Sequence, residues 1–402
     1  MSPSKMDEYK KALKENIKKV YALSFVNGAM FFWPIIILFW QDNGLSLQDI
    51  FILEAIFAIG TVIWEIPSGY LSDRWGRKNT LVAGSVLSFL GILFLAFGTS
   101  FSAFLLAQLV LACAVSFYSG TLDAIIYDSL IELDEVSKFK KIVGQNFFSF
   151  FGAEALVSIA GGLLAIISLR TPIFATLIPF GIAILISITL EEPKRHKMWE
   201  TRHLHAMINI TKSSLITNIP LRSFIALQAI LTAMFFALFF LTQPYQLEVE
   251  LPLALFGVTH AVIVATGALV SKYTHLFTKR FDDRFLLLVI SGIATISFLT
   301  LGVWLSIWGL ILFMIARMAW SALTPLSIDI INRMTTSDVR ATVLSMRAFT
   351  HRIVFACTAP FVGYAADMYS LNTAILITGI IGIVVIAIIF LLMRRVWKDI
   401  PR

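Results

Sequence analysis

Acidic and basic residues interrupt long apolar runs at Glu54, Glu65, Asp123, Asp128, Glu154, His260, Arg317, Asp329, Arg347, His351 and Arg352. A charge inside a bilayer costs about 2.5–3.5 kcal/mol on insertion scales, so such residues turn inward and carry protons, bind solutes or pair with one another. The first half of the set is acidic and the second largely basic. A carboxyl desolvated beside a cavity exchanges a proton near neutral pH, which makes Asp123, Glu154 and Glu54 candidates for proton coupling, with His260 as a fourth. A guanidinium in the same setting neutralises a carboxylate or grips an organic anion, and Arg317, Arg347 and His351 are the candidates for that chemistry.

Helical spacing sorts these groups. Glu54 and Glu65 are eleven positions apart, which places them on one face about 16 Å apart along the axis. Asp123 and Asp128 lie about 140° apart around a helix, so only one of them can face a cavity. Asp128 is expected to pair with loop cations. His351 shares a face with Arg347 at i+4. Aromatic residues add a surface for an amphiphile, and Phe31, Trp33, Tyr118, Phe235, Tyr245 and Trp320 join the candidates for a substrate cavity.

The elements that must hold these residues are membrane spans. Of 402 residues 58% are hydrophobic and only 14% charged, against roughly 45–50% and about 25% in soluble domains. At about 20 residues per span, the apolar share supplies eleven or twelve crossings. Runs bounded by charge or turn residues place them near 20–41, 50–71, 79–98, 103–128, 146–168 and 172–190, then 222–244, 253–274, 285–303, 306–331, 341–365 and 372–393. With the start of the chain in the cytoplasm, the inner segments hold 28 of the 32 Lys and Arg residues, so the positive-inside rule puts both termini there. The net charge of +7 and the pI near 9.4 then reflect topology. No nucleic-acid partner is expected. Cys113 and Cys357 sit in apolar runs and read as buried small hydrophobes.

Five segments follow: a cytoplasmic amphipathic segment 1–19, a six-helix bundle 20–190, a cytoplasmic linker 191–221, a second six-helix bundle 222–393 and a tail 394–402. A short repeat supports the division. Ala29-Met30-Phe31-Phe32 recurs as Ala233-Met234-Phe235-Phe236, and Arg77-Lys78 as Lys279-Arg280, at nearly equal offsets of 204 and 202. Duplicated halves are the usual architecture of secondary transporters. Pro34 and Pro325 interrupt spans and are expected to bend them.

Between the second and third spans the chain reads Gly69-Tyr70-Leu71-Ser72-Asp73-Arg74-Trp75-Gly76-Arg77-Lys78. This resembles the loop signature of the major facilitator superfamily at each defining position. The resemblance implies an all-α membrane fold of twelve helices in two six-helix bundles, with spans 1, 4, 7 and 10 around a central cavity. It also implies that Gly69, Asp73, Arg74, Gly76 and Arg77 form a cytoplasmic gate, in which Gly69 admits a close helix, Gly76 a tight turn, and Asp73 caps a helix while pairing with arginine. The chain departs from the drug exporters of that family in having no arginine in 108–113 and no proline before Gly161-Gly162.

The expected function is secondary active transport of a small organic solute by alternating access, driven by protons and directed to efflux of an amphiphilic compound. The alternative within this class is a proton-coupled carrier of an organic anion, such as a polycarboxylate or siderophore. A sensor that binds without transporting, or a membrane-embedded enzyme, is the rival of another class. No metalloprotease, serine-hydrolase or phosphate-loop motif is present to support the enzyme. No cofactor or metal is expected, and the partners are the solute, protons and the lipid bilayer of a plasma membrane, read as a bacterial inner membrane, with the chain a monomer.

Overall fold

The computed structural model describes residues 3–194, 218–336 and 339–396. Most of the linker 191–221, the first two residues and residues 397–402 of the tail lie outside the described residues. Among those described, the chain is helical and contains no strand. The first half runs α1 (Pro3–Gly28), a 3-10 turn (Trp33–Ile35), α2 (Ile36–Asp42), α3 (Leu47–Trp75), α4 (Arg77–Phe97), α5 (Phe101–Tyr118), α6 (Thr121–Glu132), α7 (Phe139–Ile167) and α8 (Thr171–Ile188). The second half runs α9 (Ile219–Glu248), α10 (Leu253–Arg280), α11 (Asp283–Val303), α12 (Gly309–Met334), α13 (Arg340–Met368) and α14 (Leu371–Val396).

Eleven helical segments among the described residues are long and apolar enough to cross a membrane. The twelfth, α13, has 29 residues, enough for a bilayer core of about 30 Å. Its apolar character is diluted by Arg340, Arg347, His351 and Arg352.

Two spans are not single helices. Helix α1 ends at Gly28, and Ala29–Phe32 pass without regular structure into the 3-10 turn that holds Pro34. A proline ring has no amide hydrogen to donate to the preceding turn, and Pro34 stands in the short 3-10 turn that follows the break. The freed amide of Phe31 donates instead to Thr176 Oγ1 on α8 at 3.1 Å. The carbonyl of Phe31 lies so near Gly161 on α7 that any Cβ there would overlap it. The second copy of the tetrapeptide, at Ala233–Phe236, lies in the unbroken helix α9 and is followed by Ala237 and Leu238 instead of a proline. The repeated letters therefore do not repeat a conformation. The same holds for the basic pairs, since Arg77-Lys78 opens α4 whereas Lys279-Arg280 closes α10.

The span expected over 103–128 is likewise two helices, α5 and α6, joined at Ser119-Gly120. Gly120 takes φ +71°, a left-handed conformation that glycine adopts without a Cβ clash.

The described chain forms two compact units. The first holds α1 and α2, the stretch from Ile56 through α8, and the opening turns of α10, Leu253–Ala261. Its core gathers Val20, Leu23, Leu81, Ile125, Ile126 and Leu130. The α10 segment is held there by backbone packing against α7, where a Cβ on Gly162 would lie 2.6 Å from the amide nitrogen of Gly257. A Cβ on Gly257 would in turn overlap the carbonyl of Ser158. Small residues at such crossings are what allow helices to associate in lipid, where no hydrophobic drive exists between them.

The second unit holds Leu45–Ala55, α9, α10 from Val262 onward, and α11 to α14. Its opening turns of α3 sit on α13 in a matching way. A Cβ on Gly363 would lie 2.6 Å from Gln48 Cα. Asp367 accepts from the amides of Leu47 at 3.0 Å and Gln48 at 2.7 Å, satisfying orphan donors at a helix start.

Replacing Gly257 by alanine is predicted to force α7 and α10 apart, at a cost of about 1–3 kcal/mol as for other overpacked sites. The check is the melting temperature of the detergent-purified protein, which should fall clearly below that of a control alanine at Gly292, where the added methyl meets nothing.

Candidate functional site

The loop motif begins at the end of α3. Gly76 takes φ +105° and so turns the chain sharply from α3 into α4. Having no side chain, it cannot cap the helix it opens. The cap is supplied from far along the sequence by Glu192, just beyond α8, whose carboxylate accepts from the amides of Arg77 at 2.9 Å and Lys78 at 2.8 Å. Asp73, expected to cap, is occupied otherwise. It lies one turn before Arg77 and takes that side chain's Nη1 at 2.6 Å. Arg77 also donates through Nη1 to Ser72 Oγ at 2.9 Å and through Nε to Asp128 at 3.3 Å. One guanidinium thus ties the end of α3 to α6, and Asp128 takes the loop cation expected of it.

Arg74 reaches Tyr70 Oη at 3.4 Å. A Cβ at Gly69 would meet nothing within 4 Å, so the close helix approach expected at that glycine is not made within this unit. Glu192 was not among the sequence candidates, because 115 positions separate it from the amide it caps.

Other contacts hold the same exit. Asn16 pairs with the backbone of Glu191 in both directions, at 2.8 and 2.9 Å. Tyr9 Oη accepts from the amide of Lys194 at 2.9 Å. Helix α1 is accordingly one element from Pro3 to Gly28, with no break between its polar start and its apolar end. Between α6 and α7, Glu135 accepts from Lys138 at 2.8 Å, and this hydrogen bond holds its carboxyl below the ordinary glutamate range.

Deeper in the first unit, Glu154 on α7 and His260 on α10 meet, with Oε1 and Nε2 3.1 Å apart. Both are buried, at 5% and 7% exposure, with His260 one turn beyond Gly257 and Glu154 one turn before Ser158, whose carbonyl faces Gly257. Two of the four proton-coupling candidates are thereby brought together. Glu54 is buried in the α3 segment of the second unit, and Asp123 is exposed in the first turn of α6.

In the second unit Phe235, Arg317 and Trp320 line one narrow recess with Phe239, Thr242 and Phe313. The Arg317 guanidinium lies over the Trp320 ring at 4.5 Å and against Phe239 at 5.7 Å, contacts that offset part of the cost of a cation in an apolar place. Gly267 on α10 leaves space for it, since a Cβ there would stand 3.1 Å from Arg317 Cγ. Arg347 and His351 are half-buried on α13, with His351 Nδ1 donating to the Arg347 carbonyl at 3.2 Å.

The remaining aromatic candidates are engaged elsewhere. Tyr245 is fully buried, and its hydroxyl donates to Ser306 O at 2.8 Å and accepts from Ser306 N at 3.1 Å, which pins the α11–α12 link. Tyr118 shares a 2.5 Å hydrogen bond with Ser85. Phe31 and Trp33 are half-buried at the α1 break.

The family described as Major Facilitator Superfamily matches residues 20–352. The chain belongs to that superfamily. It is 26% identical over 202 residues to an uncharacterized MFS-type transporter, YxaM, of Bacillus subtilis (strain 168), across 48% of this chain and 49% of that one. To the arabinose-proton symporter of Escherichia coli (strain K12) it is 28% identical over 153 residues, across 37% of this chain and 31% of the symporter. The matched stretches thus span about half and under a third of those two relatives.

Among solved structures it is similar to the nucleoside transporter NupG, with a TM-score of 0.78 at 15% identity over 95% of this chain and 99% of that one. A bacterial homolog to the human lysosomal transporter Spinster gives 0.77 at 15% identity, over 100% and 99%. Likeness at such low identity speaks to fold, and it agrees with an all-helical, integral multi-pass membrane protein.

Replacing Glu192 by alanine should uncap α4 at a cost of about 0.5–2 kcal/mol, the range of lost helix caps. Hydrogen exchange read by mass spectrometry should show faster exchange in a peptide covering 77–82, while one covering the α11–α12 link is unchanged.

Proposed function

We propose that the chain is a secondary active transporter that moves a small organic solute by alternating access and couples that movement to protons. The observation that carries the coupling is the Glu154–His260 pair. A carboxylate and an imidazole buried in contact form a site where the gain or loss of one proton alters the charge enclosed in the packing. The pair sits beside the glycine crossing of α7 and α10, so its charge state bears on how tightly those helices hold. The description of one relative as a proton symporter supports the same reading. Asp123 and Glu54 remain secondary candidates for the proton path.

The amphipathic start of α1, the bundles over 20–190 and 222–393, and cytoplasmic termini belong to this proposal. The bundles are the bodies that move, and the loop motif with its Glu192 cap is the cytoplasmic gate. The direction proposed is efflux and the solute an amphiphilic compound, a reading that rests on the aromatic recess of the second unit. The membrane proposed is a bacterial inner membrane.

Proteoliposomes loaded with a pH-sensitive dye and challenged with a panel of amphiphilic cations, anions and neutral compounds test the reading. Transport of an active compound should move protons, and Glu154→Gln should reduce that coupled movement by about a hundredfold or more, the lower end of what a positioned proton-transfer group contributes, with the melting temperature little changed. Full coupling in Glu154→Gln would remove the pair from the mechanism.

A further inference from the structure

The arginines of this fold differ in how their charge is met. Arg77 lies between Asp73 and Asp128, and Arg333 between Asp283 and Asp329. Arg170 donates to the Ala96 carbonyl and the Asn43 amide oxygen. Arg347, within the span formed by α13, has no carboxylate in salt-bridge range among the described residues, and its Nε is buried without a hydrogen-bond partner among them. Even a half-buried cation with no counter-charge is expensive within a membrane span. A site that retains one has a use for it.

What lies along the helix from Arg347 indicates the use. At about 100° and 1.5 Å per residue, His351 and Phe355 follow Arg347 on one slowly winding stripe, about 6 and 12 Å further along the axis. Phe355 is buried, with its ring 5.5 Å from that of Phe236 and 6.0 Å from that of Phe240. Phe236 in turn meets Trp320 edge-on at 4.6 Å. The cationic end of the stripe therefore leads into an aromatic cluster shared by α9, α12 and α13. His351 Nδ1 donates to the Arg347 carbonyl, which leaves Nε2 as an acceptor when the ring is neutral.

We propose that Arg347 is the head-group residue of a binding site for an amphiphilic organic anion, whose acid group pairs with the guanidinium and whose flat apolar body packs on the partly exposed rings of Trp320 and of Phe236, which Phe355 backs. The pairing suits a carboxylate because the guanidinium's planar fork matches two oxygens at once. This assigns the charge sign of the solute class. It rests on the transport reading only for what happens to the molecule once it is bound.

Three probes of one shape and different charge test the proposal on the detergent-purified full chain: 2-naphthoate, 2-naphthamide and 2-naphthylmethylammonium. Ligands that bind the folded state raise its melting temperature. The acid should do so, and the amide and the ammonium should not. Titration should show Arg347→Gln weakening naphthoate binding at least about tenfold, with Arg347→Lys intermediate because it keeps the charge but loses the fork. Should Arg347→Gln fail to fold, the charge series on the unaltered protein decides alone. Equal shifts across the three probes, no shift with any of them, or undiminished naphthoate binding in a folded Arg347→Gln protein would overturn the proposal. Arg347-dependent binding with no movement of naphthoate into proteoliposomes would instead overturn the transport reading and leave the site standing.

Discussion

Inside hydrocarbon a peptide group has no water to turn to, so every amide and carbonyl must find a partner within the protein. Continuous helices meet this demand by themselves. The informative places are those where the chain stops being helical within a span, at Ala29–Phe32 and at Ser119-Gly120. At the first, α1 ends at Gly28, Thr176 takes the Phe31 amide, and Gly161 clears space for the Phe31 carbonyl. Three helices are therefore committed to one interruption. The glycine crossings of α7 with α10 and of α13 with α3 follow the same logic, because helices without a hydrophobic drive between them gain from backbone contact.

Charge obeys a parallel constraint. Arg77 opens α4 and is met by acids on the last turn of α3 and on α6, whereas in the second unit the acid Asp283 opens α11 and the arginine, Arg333, comes from the last turn of α12. The two halves thus carry a related device with the polarity exchanged. That relationship lies in the placement of ion pairs on the fold, while the matching letters at offsets 204 and 202 fall on unlike local structures.

This contrast shows what a sequence can and cannot disclose. Spans were legible because length and hydropathy are local, and so was the loop motif, whose Asp73 and Arg77 are one helical turn apart. Asp128 could be anticipated as a partner of a loop cation from its place near a helix end. Glu192 could not, since nothing local marks a glutamate as the cap of a helix over a hundred positions away. The meeting of Glu154 with His260 spans 106 positions, and it depends on glycines whose packing partners no periodicity names. Tyr245 looked like a cavity aromatic by type and span, but a hydroxyl on a fully buried ring must be satisfied, and Ser306 satisfies it. The broken spans were half visible: Pro34 was expected to bend its helix, and the turn at Gly120 had no proline to announce it.

The grip on residues 191–194 bears on how the molecule could be built in pieces. Glu191, Glu192 and Lys194 come after the last helix of the first half in chain order, yet their contacts are with Asn16, Arg77, Lys78 and Tyr9. They are structural property of the first half. A gene divided so that two fragments are synthesised separately and left to assemble would deliver a first fragment with its α4 cap intact only if the division falls beyond Lys194. A cut placed at the end of the hydrophobic run, where hydropathy alone would put it, would hand that cap to the wrong fragment.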